Sequence, residues 1–119
     1  MIFNVANDFS ETPGGRYIEQ GSYSGEYFRE NYLKPIYDFC LEKDDELTIN
    51  LDGGYGYGSG FLEEVFGGMV REGYDGEIML RKINIITKDQ PELEDKIVLY
   101  IKNAMKSEKK SKKRIKKIK

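Results

Sequence analysis

The stretch of residues 47–70, LTINLDGGYGYGSGFLEEVFGGMV, constrains the fold more than any other part of this chain. In it Leu47, Ile49 and Leu51 alternate with polar residues, and this period of two predicts a short strand with one apolar face. After a run of glycines the period becomes that of a helix, whose apolar face comprises Phe61, Leu62, Val65, Phe66, Met69 and Val70. The stretch therefore predicts a strand, a tight turn and a helix in direct succession.

The turn in this stretch is rich in glycine and contains Gly53, Gly54, Gly56, Gly58 and Gly60. Glycine adopts positive φ at no steric cost, so such a run suits a sharp reversal or the close approach of another backbone. Ser59 is predicted to cap the helix that follows, where free N–H groups of the first turn favour an anion. Glu63 and Glu64 project about 100° apart from a helix, and we predict that they lie on its solvated face.

Three further side chains are candidates for partner binding. Tyr55 and Tyr57 flank glycines of the turn and are predicted to be exposed, an arrangement found in contact patches and equally in plain turn covers. Arg16 follows a Pro-Gly-Gly sequence in a predicted loop and is long enough to reach an anion. For Arg16 we favour the alternative that it pairs with one of the many acidic residues of the chain.

Two more strands are predicted on either side of this stretch. Residues 2–6 carry a weak alternating pattern, and residues 82–87, KINIIT, predict an interior strand covered on both faces. Strands that alternate with helices over short links indicate an α/β or α+β fold. We expect a mixed sheet packed with about three helices in one domain, residues 1–105.

Two more helices are predicted from their start signals. Ser22 and Ser24 are both candidate caps for the first long helix, in which Pro35 predicts a kink or a break. Asp89 is predicted to cap the last helix, with Glu92 closing a capping box. The only cysteine, Cys40, falls within the apolar pattern of the first helix and is predicted to be buried without a disulfide.

Charge is distributed unevenly along the chain. Residues 106–119 contain nine Lys or Arg and one Glu, whereas residues 1–105 contain ten basic and twenty acidic residues. A lysine-rich segment without aromatic residues cannot bury enough apolar area to fold alone, so we predict a disordered tail or a frayed helix end. Such a tail is also suited to nucleic acid or to an acidic protein surface.

The composition disfavours most catalytic chemistry. The chain has no histidine and one cysteine, which removes the commonest general base and the usual zinc ligands. The glycine run fits neither the P-loop nor the dinucleotide-binding pattern. We therefore expect no enzyme activity, no metal and no cofactor. The chain carries no pattern of a signal peptide or a membrane span, which favours a cytoplasmic protein that does not bind membranes.

Several dispersed motifs together resemble a known family: PGGRY at 13–17, SGEYFRE at 24–30, Pro35, and LDGGYGYGSGFLEEVFGGMV at 51–70. Over residues 3–105 the chain resembles the STAS-like domains of unknown function, small bacterial and phage-associated proteins. The resemblance implies the fold of anti-sigma-factor antagonists, which bind a serine-kinase-type ATPase of the histidine-kinase fold and are switched by phosphorylation.

In those antagonists the switch serine begins the helix after the central strand, in the pattern Asp-Ser-Ser-Gly-Leu. Ser59, Gly60 and Phe61 fall on the last three positions of this pattern. Gly58 then stands at the phosphorylated position and Tyr57 at the aspartate. A phosphate on Ser59 would be favoured by the helix N-terminus and repelled by the two glutamates one turn later.

Two classes of function follow. The leading hypothesis is a non-enzymatic interaction module in bacterial or phage signalling, which binds a protein partner through Arg16, Tyr55, Tyr57, Ser59 and Phe61. The alternative is a nucleic-acid-associated or phage counter-defence protein that uses the basic tail or the acidic body. The sequence does not indicate the oligomeric state.

Overall fold

The computed structural model describes the backbone of residues 1–118 and the side chains of residues 1–111. A parallel sheet has the order β1-β2-β3, with strands Ile2–Asn4, Leu47–Asn50 and Ile83–Ile86. Phe3, Ile49 and Ile85 are aligned across it. The α/β prediction is confirmed, whereas the prediction of a mixed sheet is wrong because both strand pairs are parallel.

Five helices accompany the strands in the described chain. Helix α1, Val5–Asp8, and a 3₁₀ turn, Ile18–Gln20, precede the long helix α2 of residues 25–42. Helix α3 spans residues 59–71, α4 spans Gly76–Lys82, and α5 spans Glu92–Ile118. Helices α2 and α3 each contain a π-helical segment, Arg29–Leu33 and Glu63–Gly67 respectively.

The sheet has one covered face. Leu47 and Ile49 of the central strand are buried, and Phe3 and Ile85 pack against the same core from the neighbouring strands. Strand β3 lies at the edge of the sheet, and its Asn84 is exposed. The prediction that residues 82–87 form an interior strand is therefore wrong. Ile83 and Ile85 are explained by the helices that pack on one face, whereas Ile86 points to the other face.

The π segment of α2 changes which residues face the core. In an unbroken α-helix, Phe39 would lie about 20° from Phe28 and Tyr37 about 180° from it. The structure has the reverse, with Tyr37 buried and Phe39 47% exposed. The wider turn accommodates an extra residue and rotates everything after it. It ends two residues before Pro35, which lies at the start of the α-helical segment Lys34–Glu42, as the predicted division into two pieces requires, although the chain stays helical across the junction.

The helix starts agree only in part with prediction. Ser24 caps α2, its hydroxyl accepting a hydrogen bond from Tyr27 N at 3.1 Å. The predicted cap at Ser59 is one residue late, because Gly58 is the cap and Ser59 is the first helical residue. Asp89 does not cap α5, which begins at Glu92. Helix α4 was not predicted from the sequence.

Asp75 is the residue that starts α4. Its carboxylate accepts hydrogen bonds from the backbone N–H groups of Glu77 and Ile78. Such a cap satisfies donors that a helix start leaves unpaired. This helix could not be predicted from its sequence, because seven residues hold too few apolar positions to give a clear helical period.

The predicted face of α3 is confirmed. Phe61, Val65, Phe66 and Met69 are all buried. Gly25 at the start of α2 lets the two helices approach closely, since a Cβ at this position would lie 2.7 Å from Phe61 O.

Helix α5 continues through the basic segment, where the sequence predicts a disordered tail. The backbone of residues 106–118 is helical. Lysine and arginine favour helix, and extending an existing helix needs no new nucleus. The frayed helix end considered as an alternative is nearer to the structure than disorder. Met105 still contacts the body at Gly76.

Candidate functional site

The glycine loop, residues 52–58, connects β2 to α3 at the edge where the parallel strands end. Its first residues are fixed by side chains. Asp52 N donates to Asn50 Oδ1 at 2.9 Å, and Gly53 N donates to Asp89 Oδ2 at 3.2 Å. In return Asp89 N donates to Asp52 Oδ1 at 2.9 Å. The loop is thereby joined to the segment after β3, the kind of edge at which α/β proteins bind ligands.

Three of the glycines have a local geometric explanation. Gly53 and Gly56 have φ of 92° and 123°, which residues with a Cβ rarely adopt. A Cβ on Gly54 would lie 3.0 Å from Glu11 O. The same carbonyl accepts a hydrogen bond from Tyr55 N at 2.9 Å, which fixes the middle of the loop.

The two tyrosines of the loop differ in exposure. Tyr55 is 83% exposed, the most exposed of the large hydrophobic side chains described. Tyr57 is half-buried and packs on Phe61, with ring centroids 6.1 Å apart. Burial, followed by the charge of Asp52, raises the pKa of Tyr57 to about 12. The prediction of two exposed tyrosines is therefore correct for Tyr55 and wrong for Tyr57.

The two predicted binding residues at the start of α3, Ser59 and Phe61, also differ in exposure. Ser59 is exposed at the first position of the helix, after the cap residue Gly58. Phe61 is 3% exposed and belongs to the core. Phe61 therefore supports the loop from below and offers no surface of its own to a partner.

Beside the loop lies a group of charged residues that we call the ion cluster: Arg16, Arg29, Glu63, Glu64 and Arg71. Arg29 Nη1 donates to the Glu64 carboxylate and, at 2.8 Å, to Glu64 O. Arg71 Nη1 donates to Glu63 Oε2 at 2.7 Å, and Arg16 donates to both carboxylates. Glu64 is only 7% exposed. The prediction that both glutamates lie on a solvated face is wrong, because three guanidinium groups surround them.

The ion cluster shifts the pKa values of Glu63 and Arg29. Burial alone would raise the pKa of Glu63, but hydrogen bonds from Arg71 and Arg16 outweigh it and lower that pKa. For Arg29, burial lowers the pKa, and the hydrogen bonds to Glu64 and Glu30 outweigh it, so the pKa is raised. Both pKa shifts favour the charged forms of Glu63 and Arg29.

Arg16 occupies the position that matters most for a site at the helix start. Arg16 pairs with Glu63 and Glu64, as the alternative favoured from the sequence predicts. Its Nη2 atom also lies 3.7 Å from where a Cβ of Gly60 would stand. The guanidinium therefore lies beside Gly60, the residue that follows Ser59 at the N-terminus of α3.

The ion cluster was not predicted from sequence. Arg29 and Glu64 are far apart along the chain, and neither has a distinctive neighbour pattern. The available signal was the Gly67–Gly68 pair inside an apolar helix, where a Cβ on Gly67 would overlap the Glu63 carboxylate and one on Gly68 the Arg29 guanidinium. Glycine is unfavourable within a helix, so its presence there indicates close packing.

The described residues form neither a candidate metal site nor a membrane-spanning helix. No group of three or more Cys, Asp or Glu side chains is placed to hold a metal ion in the described part of the chain. None of the described helices has the length and apolar character needed to cross a membrane.

Residues 24–92, from the start of α2 through the glycine loop to the start of α5, match the family model of the STAS-like domain of unknown function (DUF4325). The chain belongs to this family. The match to the STAS-like domain is shorter than residues 3–105, and it leaves out β1, Arg16 and most of α5. No curated protein and no solved structure matches the chain.

Proposed function

We propose that this STAS-like domain is a non-enzymatic protein-interaction module of bacterial or phage signalling, which binds its partner through the glycine loop and the start of α3. The observation that carries the proposal is the 83% exposure of Tyr55 on a loop whose backbone is hydrogen-bonded on both sides of the sheet edge. An exposed tyrosine on a fixed backbone is suited to binding, because it offers a large contact area and loses little entropy on association.

The residues around Tyr55 fall into two groups, those that support the loop and those that can contact a partner. Tyr57 and Phe61 hold the loop in place from the core side. Ser59 lies exposed next to the loop and can donate or accept a hydrogen bond. The contact surface therefore centres on Tyr55 and Ser59, with Arg16 beside them.

The partner we propose is an ATPase of the histidine-kinase fold. The support is the resemblance to anti-sigma-factor antagonists, whose partners are of this type, and the location of the loop after the central strand. Phosphorylation of Ser59 is part of the proposal. The two glutamates that would repel a phosphate are already paired with arginines, and Arg16 stands one residue away.

A binding assay tests this function. The protein is immobilised and incubated with an ATPase of the histidine-kinase fold encoded beside its gene, and Kd is measured for the wild type and for Tyr55→Ala. We expect a loss of about 2 kcal/mol or more in binding free energy, as for truncation of an aromatic anchor. Leu99→Ala, which removes an exposed hydrophobic side chain of α5 outside the loop, serves as the control and should bind as the wild type does.

The same assay tests the switch. Ser59→Glu should change Kd at least tenfold if a negative charge at this position acts as a phosphate would. Unchanged binding by Ser59→Glu would leave Ser59 as an ordinary contact residue. Equal Kd values for Tyr55→Ala and the wild type would rule out the loop as the binding surface.

We also propose a second candidate function, association of the basic segment with nucleic acid. The supporting observation is that α5 continues to Ile118, into a segment with nine basic residues. A gel shift with duplex DNA or RNA at 50 and 200 mM salt tests it, because a phosphate-binding segment loses affinity steeply with salt. A chain truncated after Met105 should give no shift at either salt concentration.

A further inference from the structure

We propose a second binding surface, separate from the glycine loop, which takes an extended cationic segment of a partner protein. This surface is the aromatic cleft, a cavity of about 540 Å³ beside the start of α2. It is lined by Phe9, Ile18, Tyr23, Tyr27 and Tyr32, with Glu19 at its rim. None of these residues belongs to the predicted site.

Phe9 forms the base of the aromatic cleft. Its ring centroid lies 5.6 Å from that of Tyr23 and 5.1 Å from that of Tyr32, both in edge-on geometry. Tyr27 lies nearly parallel to Phe9 at 6.4 Å. Four aromatic rings therefore converge on one cavity, and they present both faces and edges to a bound group.

The backbone around the aromatic cleft is fixed. Gly14 N donates to Tyr23 O at 3.0 Å, and Gly25 N donates to Gly15 O at 2.9 Å, so the loop of residues 13–23 is closed onto the start of α2. Ile18 N donates to the carboxylate of Glu26 at 2.9 Å. The cleft thus exists before a ligand arrives, which reduces the entropy lost on binding.

The apolar lining is open to solvent. Ile18, Tyr23 and Tyr27 are all exposed, although they are neighbours around one cavity. Single exposed hydrophobic residues are ordinary on a protein surface, but a contiguous group beside a concave wall is typical of an interaction site.

Charge identifies the ligand. The first 33 residues contain no lysine, and their two arginines, Arg16 and Arg29, both donate to glutamates of α3. In the same part of the chain Asp8, Glu11 and Glu19 are exposed. Of these acidic residues only Glu19 lines the cleft, which therefore combines four aromatic rings with one exposed carboxylate, and none of the described residues that line it is Lys or Arg. Aromatic faces attract Lys and Arg head groups, and carboxylates at the rim pair with them.

An extended segment suits the cleft better than a helix does. Aromatic-lined grooves bind extended, proline-rich segments, whereas helix-binding grooves carry continuous aliphatic surfaces. The cavity volume lies within the range of about 300–1,000 Å³ that is common for binding sites. A few consecutive Lys, Arg or Pro residues are sufficient to fill it.

The basic segment of the same molecule is not the ligand. Gly76 at the start of α4, ahead of β3, contacts Met105 of α5. Helix α5 therefore runs back from the edge where the strands end, and residues beyond 105 leave at the opposite edge. The cleft, in contrast, lies beside Phe9, which follows β1 and α1. A segment from another protein has to supply the cation.

Titration of ¹⁵N-labelled full-length protein with the peptide acetyl-KPRPKPR-amide tests the inference. We expect chemical-shift changes centred on residues 9–32 and saturation below about 0.5 mM, as for a transient peptide complex. The matched control peptide replaces Lys with acetyl-lysine and Arg with citrulline, which preserves shape and removes charge. It should bind at least tenfold more weakly.

Variants separate this surface from the glycine loop. Tyr23→Ala with Tyr27→Ala should weaken peptide binding at least tenfold, and Glu19→Gln about threefold. Tyr55→Ala should bind the peptide as the wild type does. The peptide experiment therefore gives its result independently of whether the glycine loop binds a partner. Because Tyr23, Tyr27 and Glu19 are exposed, the variants should fold, and their spectra without peptide verify this.

Three outcomes overturn the inference. They are shift changes outside residues 9–32, equal affinity for the charged and uncharged peptides, and unchanged binding by the double tyrosine variant. A fourth concerns self-association: if truncation after Met105 abolishes a concentration-dependent dimer and tightens peptide binding, the cleft is occupied by the basic segment of a second copy. That result would replace the partner segment with this chain's own.

Discussion

Two regions at helix α3 differ in which side chains they bury: one buries charged groups, and the other exposes an aromatic ring. On its flank, the ion cluster places Glu64 at 7% exposure among arginines. At its start, the glycine loop presents Tyr55 at 83% exposure. Hydropathy alone predicts the reverse, with glutamates in water and aromatic rings in the core.

The difference indicates which residues serve stability and which serve binding. A buried charge with satisfied partners is costly to disturb, because removing one partner leaves the other unpaired in a medium of low polarity. An exposed aromatic ring contributes little to folding and remains available to a partner. Variants in the ion cluster should therefore report on unfolding, and variants in the loop on binding.

The largest effect is expected from Glu64→Ala. This change leaves the Nη1 atom of the buried Arg29 without a carboxylate, while its Nε atom keeps Glu30, and breaking a buried pair costs about 3–5 kcal/mol of unfolding free energy. Urea unfolding measures the loss. Glu72→Ala, which removes an exposed carboxylate 3.0 Å from Lys34 Nζ and 4.0 Å from Arg29 Nη2, is the control and should cost less than about 1 kcal/mol. Similar losses in the two variants would remove the distinction between the cluster and the surface.

The contact between α2 and α3 is tested by Gly25→Ala. The added Cβ would lie 2.7 Å from Phe61 O, so the helices must separate. Overpacking of this kind costs about 1–3 kcal/mol. Gly14→Ala is the matched control, because nothing lies within 4 Å of its Cβ position. A Gly25→Ala variant as stable as Gly14→Ala would mean that the helices are not held this closely.

The pH dependence of stability should follow Glu63. Its pKa is lowered on folding, so it stabilises the protein above the ordinary value of 4.5, and this contribution is lost as pH falls through the folded value. Unfolding measured between pH 7 and pH 3 should therefore give a shallower curve for Glu63→Gln than for the wild type. The difference at pH 7 is expected to be about 1 kcal/mol, as for a partly exposed pair. Parallel curves would exclude Glu63 as a source of acid sensitivity.

Removal of the basic segment should change stability little. Truncation after Met105 retains the part of α5 that packs on the body, including Ile97 and Ile101. We expect a loss below about 1 kcal/mol in urea unfolding. A greater loss would mean that the lysines pair with the acidic body, and repeating the measurement at high salt would then reduce the difference.

The smallest effect on stability is expected for Tyr55→Ala. A change at so exposed a side chain should stay within about 0.5 kcal/mol. Tyr57→Ala is its matched comparison and should destabilise more, because Tyr57 packs on Phe61. Thermal unfolding of both variants distinguishes them. Equal melting temperatures would mean that the loop is held by its hydrogen bonds alone.

Sequence patterns predicted the elements that obey a simple period. The strand at Leu47, the buried face of α3 and the cap at Ser24 all follow from local spacing, and the family resemblance followed from dispersed motifs. Features that depend on distant partners were not predictable in this way. The pairing of Arg29 with Glu64, the edge position of β3 and the burial of Tyr57 each require knowledge of what packs opposite.

The facing π segments of α2 and α3 have a consequence for comparing relatives by sequence. Each segment accommodates one residue more than an α-helical turn, and together they contain both members of the Arg29–Glu64 pair. A relative that lacks the extra residue in one helix would turn everything downstream by about 100°. An alignment of such relatives should therefore open a single-residue gap within residues 29–33 or 63–67, and ungapped hydrophobic patterns would assign the wrong residues to the core beyond it.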